Sequence, residues 1–181
     1  MTAFKVWYMY IEVTFYFDVF TKEILVYKIA ERRGAREQYI DGLNDVIELL
    51  NDTKEPVVLH TDQGSVYASI AYNELIKDTN IVRSMSRAGK PTDNPVNEAL
   101  NGWIKEELII DFEIEKCREK KDFQNVMEMY IKFYNEQRPC FAIGYDTGEI
   151  KCRDTFEKRE LTTEPKFVQK RRNIALSNRC L

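Results

Sequence analysis

The sequence predicts an α/β layered domain, a mixed sheet flanked by helices. Residues 4–30 are dense in Val, Ile, Tyr, Phe and Trp, the preferred strand formers. After Gly34, apolar residues at helical spacing alternate with short apolar runs, as when helices alternate with strands. The 181-residue length suits one domain with a tail, read here as a domain over residues 1–150 and a basic tail over 151–181.

In chain order, Val6–Val13 and Phe15–Phe20 read as one long strand or two short ones. Thr21-Lys22 reads as a turn and Glu23–Ile29 as the returning strand. Tyr39, Ile40, Leu43, Val46, Ile47 and Leu50 mark one face of a helix. Asn51–Pro56 is a loop and Val57–His60 a short apolar strand. Ser65–Lys77 reads as a helix with Val66, Ile70, Leu75 and Ile76 inward, followed by a strand at Ile81–Ser84. Ser86–Thr92 is a polar loop. Asp93 or Asn94 suits a helix cap and Pro95 a first turn, opening a helix to about Ile110 with Val96, Leu100, Trp103 and Ile104 inward. Lys121–Asn135 is a further helix with Phe123, Val126, Met127, Tyr130 and Tyr134 on one face. Residues 151–173 hold eight basic and four acidic side chains.

Net charge is −3 and the pI about 5.4, so the chain is no globally basic nucleic-acid binder, and any DNA site must be a local patch. Cys117, Cys140, Cys152 and Cys180 form no C-x-x-C pair, and His60 is the only histidine. That spacing excludes the usual zinc sites and reads as reduced thiols in a cytoplasmic protein. Lys5, Glu12 and Asp18 interrupt the apolar run over residues 3–20, which therefore reads as a buried strand or hairpin rather than a membrane span or signal peptide.

The strongest local signal is Val57-Val58-Leu59-His60-Thr61-Asp62-Gln63-Gly64-Ser65. A carboxylate follows the carboxyl end of an apolar strand, where open α/β sheets collect ligands. Asp62 is either a site residue or the cap of the next helix. A second segment, Ser84-Met85-Ser86-Arg87-Ala88-Gly89-Lys90-Pro91-Thr92-Asp93-Asn94-Pro95-Val96-Asn97-Glu98, places Glu98 early in a helix, with Lys105 seven residues on along the same face. These two form either a metal-and-phosphate face or a solvated ion face.

Taken together, Leu59-His60-Thr61-Asp62-Gln63-Gly64-Ser65, Ser84-Met85-Ser86-Arg87, Asp93-Asn94-Pro95-x-Asn97-Glu98 and Tyr130-Ile131-x-Phe133-Tyr134-Asn135-x-x-Arg138-Pro139 resemble the catalytic core of insertion-sequence DDE transposases of the IS-three group. The 35 residues between Asp62 and Glu98 fit the D-35-E part of that pattern. The likeness runs from about Phe17 to Glu157. It implies an RNase H-like integrase core in which three acids bind two Mg²⁺ ions, or Mn²⁺ in their place, around a scissile phosphate of double-stranded DNA. It implies Asp62 and Glu98 as catalytic metal ligands, with Lys105 and Arg87 contacting DNA phosphates at transposon ends and target. Arg138 either contacts DNA or anchors the last helix of the core. Self-association follows from the resemblance too, as do a helix-turn-helix partner chain from an upstream frame and a cytoplasmic protein at the nucleoid when DNA-bound.

The sequence departs from the family pattern at the first acid, which is expected immediately before Met1. Glu12, in Ile11-Glu12-Val13-Thr14, and Asp18 are the weak stand-ins within the chain. Cys140 takes a usual histidine place and Gly148 a usual proline place. Two readings follow. One is a transposase catalytic core that is inactive as this chain for want of the first acid. The other is a non-catalytic remnant that binds DNA or a partner subunit.

Overall fold

The strand-forming residues at the start of the chain fold into three strands. In this computed structural model, which describes residues 1–87 and 95–140 and two short strands beyond, β1 (Thr2–Val6), β2 (Met9–Phe17) and β3 (Ile24–Ala30) make an antiparallel sheet in that order. Val6 pairs with Met9 and Thr2 with Val13, so Trp7-Tyr8 is a two-residue turn inside what read as a continuous strand. No glycine, proline or asparagine announces it, and Trp7 takes φ 54° to make it. The second turn lies where expected. Asp18 Oδ1 accepts the Phe20 and Thr21 N–H groups at 2.6 and 3.2 Å, and Lys22 takes φ 64°.

Successive β2 side chains point to opposite faces. Ile11, Val13 and Phe15 join the main core with Phe4 and Val6 of β1. Glu12 and Tyr16 face the helix α1 (Arg36–Leu49): Gln38 Nε2 donates to Glu12 at 3.3 Å, and the Tyr16 hydroxyl donates to the Tyr39 carbonyl at 3.0 Å. The helix lies so close that a Cβ at Gly42 would stand 2.6 Å from the Tyr16 ring. Tyr39, Leu43 and Val46 supply the buried stripe of α1.

β4 (Val57–Thr61) pairs in parallel with β5 (Ile81–Met85), from Val57 opposite Ile81 to Thr61 opposite Met85. Strands of both senses are therefore present as expected, but ladder hydrogen bonds among the described residues leave β1–β3 and β4–β5 as separate sheets. Leu59 joins them by packing on Tyr16 and Val26. The intervening helix is shorter than the sequence suggests. α2 spans Ile70–Ile76, and its cap is Ser69, whose hydroxyl accepts the Tyr72 N–H at 3.3 Å. Ile70 is 81% exposed, and Tyr72 fills the inward place instead.

α3 (Pro95–Ile110) buries Leu100, Ile104 and Leu108; Trp103, expected inward, is half exposed. A short 3-10 turn (Ile114–Lys116) leads to α4 (Lys120–Lys132), whose Phe123, Met127 and Tyr130 enter the main core as expected, with Tyr134 beyond its end. A π-helical turn (Phe133–Gln137) follows, then β6 (Tyr145–Asp146) and β7 (Glu149–Ile150), an antiparallel pair. The β1–β3 sheet thus lies between α1 on one face and α3 and α4 on the other, and α2 packs against α1 and β5. The expected loop from residue 88, the Asp93 or Asn94 cap, the Val96 side chain, Gly148 and the tail over 151–181 lie outside the described residues.

The Tyr130–Pro139 segment fastens the two ends of this domain. Asn135 Oδ1 accepts the Ile24 N–H and its Nδ2 donates to the Ile24 carbonyl, both at 3.0 Å, so one side chain acts as a strand partner for β3. Arg138 donates to Glu107 Oε1 at 2.6 Å, and the Tyr130 hydroxyl donates to Glu107 Oε2 at 2.8 Å. Of the two sequence roles considered for Arg138, the contacts are those of the anchor.

Asn135→Ala should strip Ile24 of both bonds and lower unfolding free energy by about 2 kcal/mol, read from the urea midpoint. A pH effect should arise at α4, where Asp122 accepts the Arg118 N–H at 2.9 Å and the Glu119 N–H at 3.0 Å. These bonds, the one from Arg118 first, hold its carboxyl below the ordinary value of 3.8. The folded-state value is depressed, so this support is complete above 3.8 and is lost as pH falls through the folded value. Asp122→Asn should therefore destabilise at neutral pH and approach the parent in strong acid, as urea midpoints against pH would record.

Candidate active site at the carboxyl ends of β4 and β5

Asp62 is the first residue beyond β4 and is exposed. Its Oδ1 accepts the Gly64 N–H at 2.8 Å, which turns the chain away from the strand. It does not cap α2, since Ser69 does that seven residues later. Of the two sequence readings, the helix cap is therefore removed.

The strand end that carries Asp62 is riveted to its neighbour. His60 Nδ1 lies 3.0 Å from Ser84 Oγ, its cross-strand partner, and Nε2 lies 3.1 Å from Ser86 Oγ. Neutral imidazole offers one donor and one acceptor, and a hydroxyl serves in either role, so both contacts are satisfied in either tautomer. The Ser86 N–H adds a bond to the Thr61 carbonyl at 2.9 Å. Arg87, exposed, follows directly. The Leu59–Ser65 and Ser84–Arg87 motifs are thus one piece of structure.

Glu98 lies in the first turn of α3 and is exposed. Farther along that helix, Lys105 lines a cavity of about 160 Å³ with the edge of β1 (Ala3–Val6), Ile109, Ile114 and Glu115. The start of β1 lies near Asp62: desolvation lowers the pKa of the Met1 α-amino group, and the carboxylates of Asp62 and Glu12 oppose that shift.

Both stand-in acids make hydrogen bonds within the fold. Glu12 is 1% exposed, and its oxygens accept from the Tyr10 hydroxyl at 3.1 Å, the Gly34 N–H at 2.8 Å and Gln38. It ties β2 to the start of α1. Asp18 closes the β2–β3 turn. Among the described residues no three His, Cys, Asp or Glu side chains gather closely enough to hold a metal. Asp62 and Glu98 are hard oxygen donors open to water. Mg²⁺ takes such oxygen donors, binding through one or two carboxylates and keeping several waters.

Asn135 and Glu107 have roles that the sequence reading did not assign. The first was visible only as a motif letter. The second is an ordinary helical Glu until Arg138 and Tyr130 converge on it.

Residues 1–91 match the family described as Integrase core domain, and residues 79–147 match a second family of the same description. The chain is 34% identical over 121 residues to the putative transposase InsK for insertion sequence element IS150 of Escherichia coli K12, covering 67% of this chain and 41% of that protein. It is 28% identical over 132 residues to the transposase for insertion sequence element IS904 of Lactococcus lactis, covering 71% and 49%. The chain thus spans half or less of the length of these relatives. Among solved structures, the catalytic core domain of HTLV-2 integrase in complex with magnesium superposes with a TM-score of 0.60 at 17% identity, covering 86% of this chain and 89% of that one. A simian T-cell lymphotropic virus intasome gives a TM-score of 0.70 at 18% identity over 91% of this chain and 53% of that one. The shared fold is the RNase H-like integrase core. No helix among the described residues is long and apolar enough to cross a membrane.

His60→Ala should cost about 1–2 kcal/mol by breaking both serine contacts. Ser86→Ala should cost less, and the double variant less than the sum, a coupling that a double-mutant cycle in urea would measure.

Proposed function

This chain belongs to the integrase core domain family of insertion-sequence transposases, and on that premise we propose that it is the catalytic-core part of a DDE transposase acting on transposon-end DNA. Residues 1–150 are the core and 151–181 a basic tail. The observation that carries the reading is Asp62, exposed at the end of β4 and free of helix capping, on a strand end that His60 fixes to β5.

Asp62 and Glu98 would hold Mg²⁺, or Mn²⁺ in its place. The ion supplies charge neutralisation at the phosphate and activation of the attacking oxygen. The chain's own residues position the DNA. Arg87, next to the His60 rivet, and Lys105, seven residues beyond Glu98, contact phosphates and so fix the backbone without reading sequence. Double-stranded DNA at transposon ends and target is the substrate. Self-association and a helix-turn-helix partner chain complete the working assembly, at the nucleoid in the cytoplasm.

A second reading has its own support. With Glu12 and Asp18 committed elsewhere, these residues supply two of the three acids that the chemistry uses. Losing one member of a set that acts as a unit commonly removes the whole effect. The polypeptide of residues 1–181 by itself is then a DNA- or partner-binding subunit that joins no ends. The test is joining of labelled transposon-end DNA in Mg²⁺ or Mn²⁺ by this polypeptide and by its Asp62→Asn variant. The expected result is no joining by either. Metal-dependent joining that Asp62→Asn abolishes would establish the chain as a complete enzyme and overturn the second reading.

A further inference from the structure

The β1–β2 turn is built in a way that packing alone does not require. A two-residue hairpin turn favours Asn-Gly or a similar pair, because left-handed backbone is costly for a bulky residue. Here the position at φ 54° is Trp7, and the residue after it is Tyr8. Trp7 is 51% exposed and Tyr8 95% exposed, so about half of the strained indole and nearly all of the phenol face solvent. Such outliers cluster at functional sites.

A cation completes the arrangement. The Arg118 guanidinium lies 3.5 Å from the centroid of the Trp7 ring. Its own backbone is fixed, since the Arg118 N–H is bound by Asp122 at the start of α4. Tyr8 stands edge-on to Trp7, with 5.6 Å between ring centroids. Behind the turn, Lys5 on the edge of β1 and Lys105 on α3 line one cavity, two lysines against the single carboxylate of Glu115. That edge of β1 has no strand partner among the described residues. It ends at the aromatic turn.

We propose that Trp7, Tyr8 and Arg118 form a base-stacking platform that takes an unpaired nucleobase from a DNA strand whose phosphates follow Lys5 and Lys105 along the edge of β1. Aromatic faces beside cations suit this ligand class: every base has a π-face, and each phosphate needs a positive neighbour. Paired bases inside a duplex present no free face, so the platform selects single-stranded or frayed DNA. This goes beyond the transposase reading. Its test needs neither metal nor turnover, so the two stand or fall separately.

The chain has two tryptophans, Trp7 and Trp103, and Trp103→Phe leaves Trp7 as the only indole. In that background, oligothymidylate of about ten nucleotides should quench the indole fluorescence, and inorganic polyphosphate of equal charge should not. Adding Trp7→Gly, or Tyr8→Ala, should weaken oligothymidylate binding by about tenfold, read by anisotropy of a labelled strand. Absent quenching, equal quenching by polyphosphate, or unchanged affinity in both variants would overturn the proposal. If Trp7→Gly fails to fold, Tyr8→Ala decides alone, because a side chain this exposed supports no core.

Discussion

Strand β2 is covered on both faces, and the rest of the domain is arranged to satisfy that burial. One face is apolar and packs on α3 and α4 through Ile11, Val13 and Phe15. The other buries Glu12, Thr14 and Tyr16, and Glu12 and Tyr16 carry polar atoms that are costly to leave unpaired. Glu12 finds Tyr10, Gly34 and Gln38, and Tyr16 finds the Tyr39 carbonyl. All but Tyr10 of these partners belong to α1 or its approach, so the helix has one seating on the sheet, and Gly42 permits its closeness. Tyr16 also receives Leu59 of β4. The strand that ends in Asp62 is thus located by the side chains that satisfy β2.

The elements whose periodicity comes from a single dominant environment were legible in the sequence. The inward residues of α4 are an example, since one face meets the core and the other meets water. The aromatic start was harder. Its residues favour extended chain everywhere, and the Trp7-Tyr8 turn uses no turn-forming residue, so only pairing across β1 and β2 reveals it. The spacing of Val66 and Ile70 overstates α2, because the chain first completes the turn after Asp62 and caps only at Ser69. Trp103 fell outside because Leu100, Ile104 and Leu108 already fill that stripe. At the site, Asp62, Glu98 and the neighbouring motif letters were visible as spacing. The fastening of the two motif segments by His60, Ser84 and Ser86 was not, since it depends on strand register.

Two of the three glutamates of α3, Glu98 and Glu107, show how environment separates like side chains. Glu107 is largely enclosed by Arg138 and Tyr130, and each of its oxygens has a partner. Burial, together with that carboxylate, pushes the Tyr130 hydroxyl well above its ordinary pKa, which keeps it a donor. Glu98, in the first turn, faces water. The helix therefore keeps one carboxylate for the integrity of the domain and leaves the other open to an external ligand.

The two bonds between Asn135 and Ile24 span 111 residues of sequence. Contacts of such separation demand closure of a long loop before they return any free energy, and they slow folding. The first three strands leave the ribosome long before the side chain that secures β3. Until then the hairpins lack α3 and α4, and their Ile, Val and Phe faces stay uncovered. Domains that fold in this order pass through states with exposed apolar sheet, the species that chaperones bind and that aggregate when they are not bound. A change at Asn135 therefore acts back on the first hairpins of the chain, whose β3 is bonded by a side chain 111 residues away in sequence.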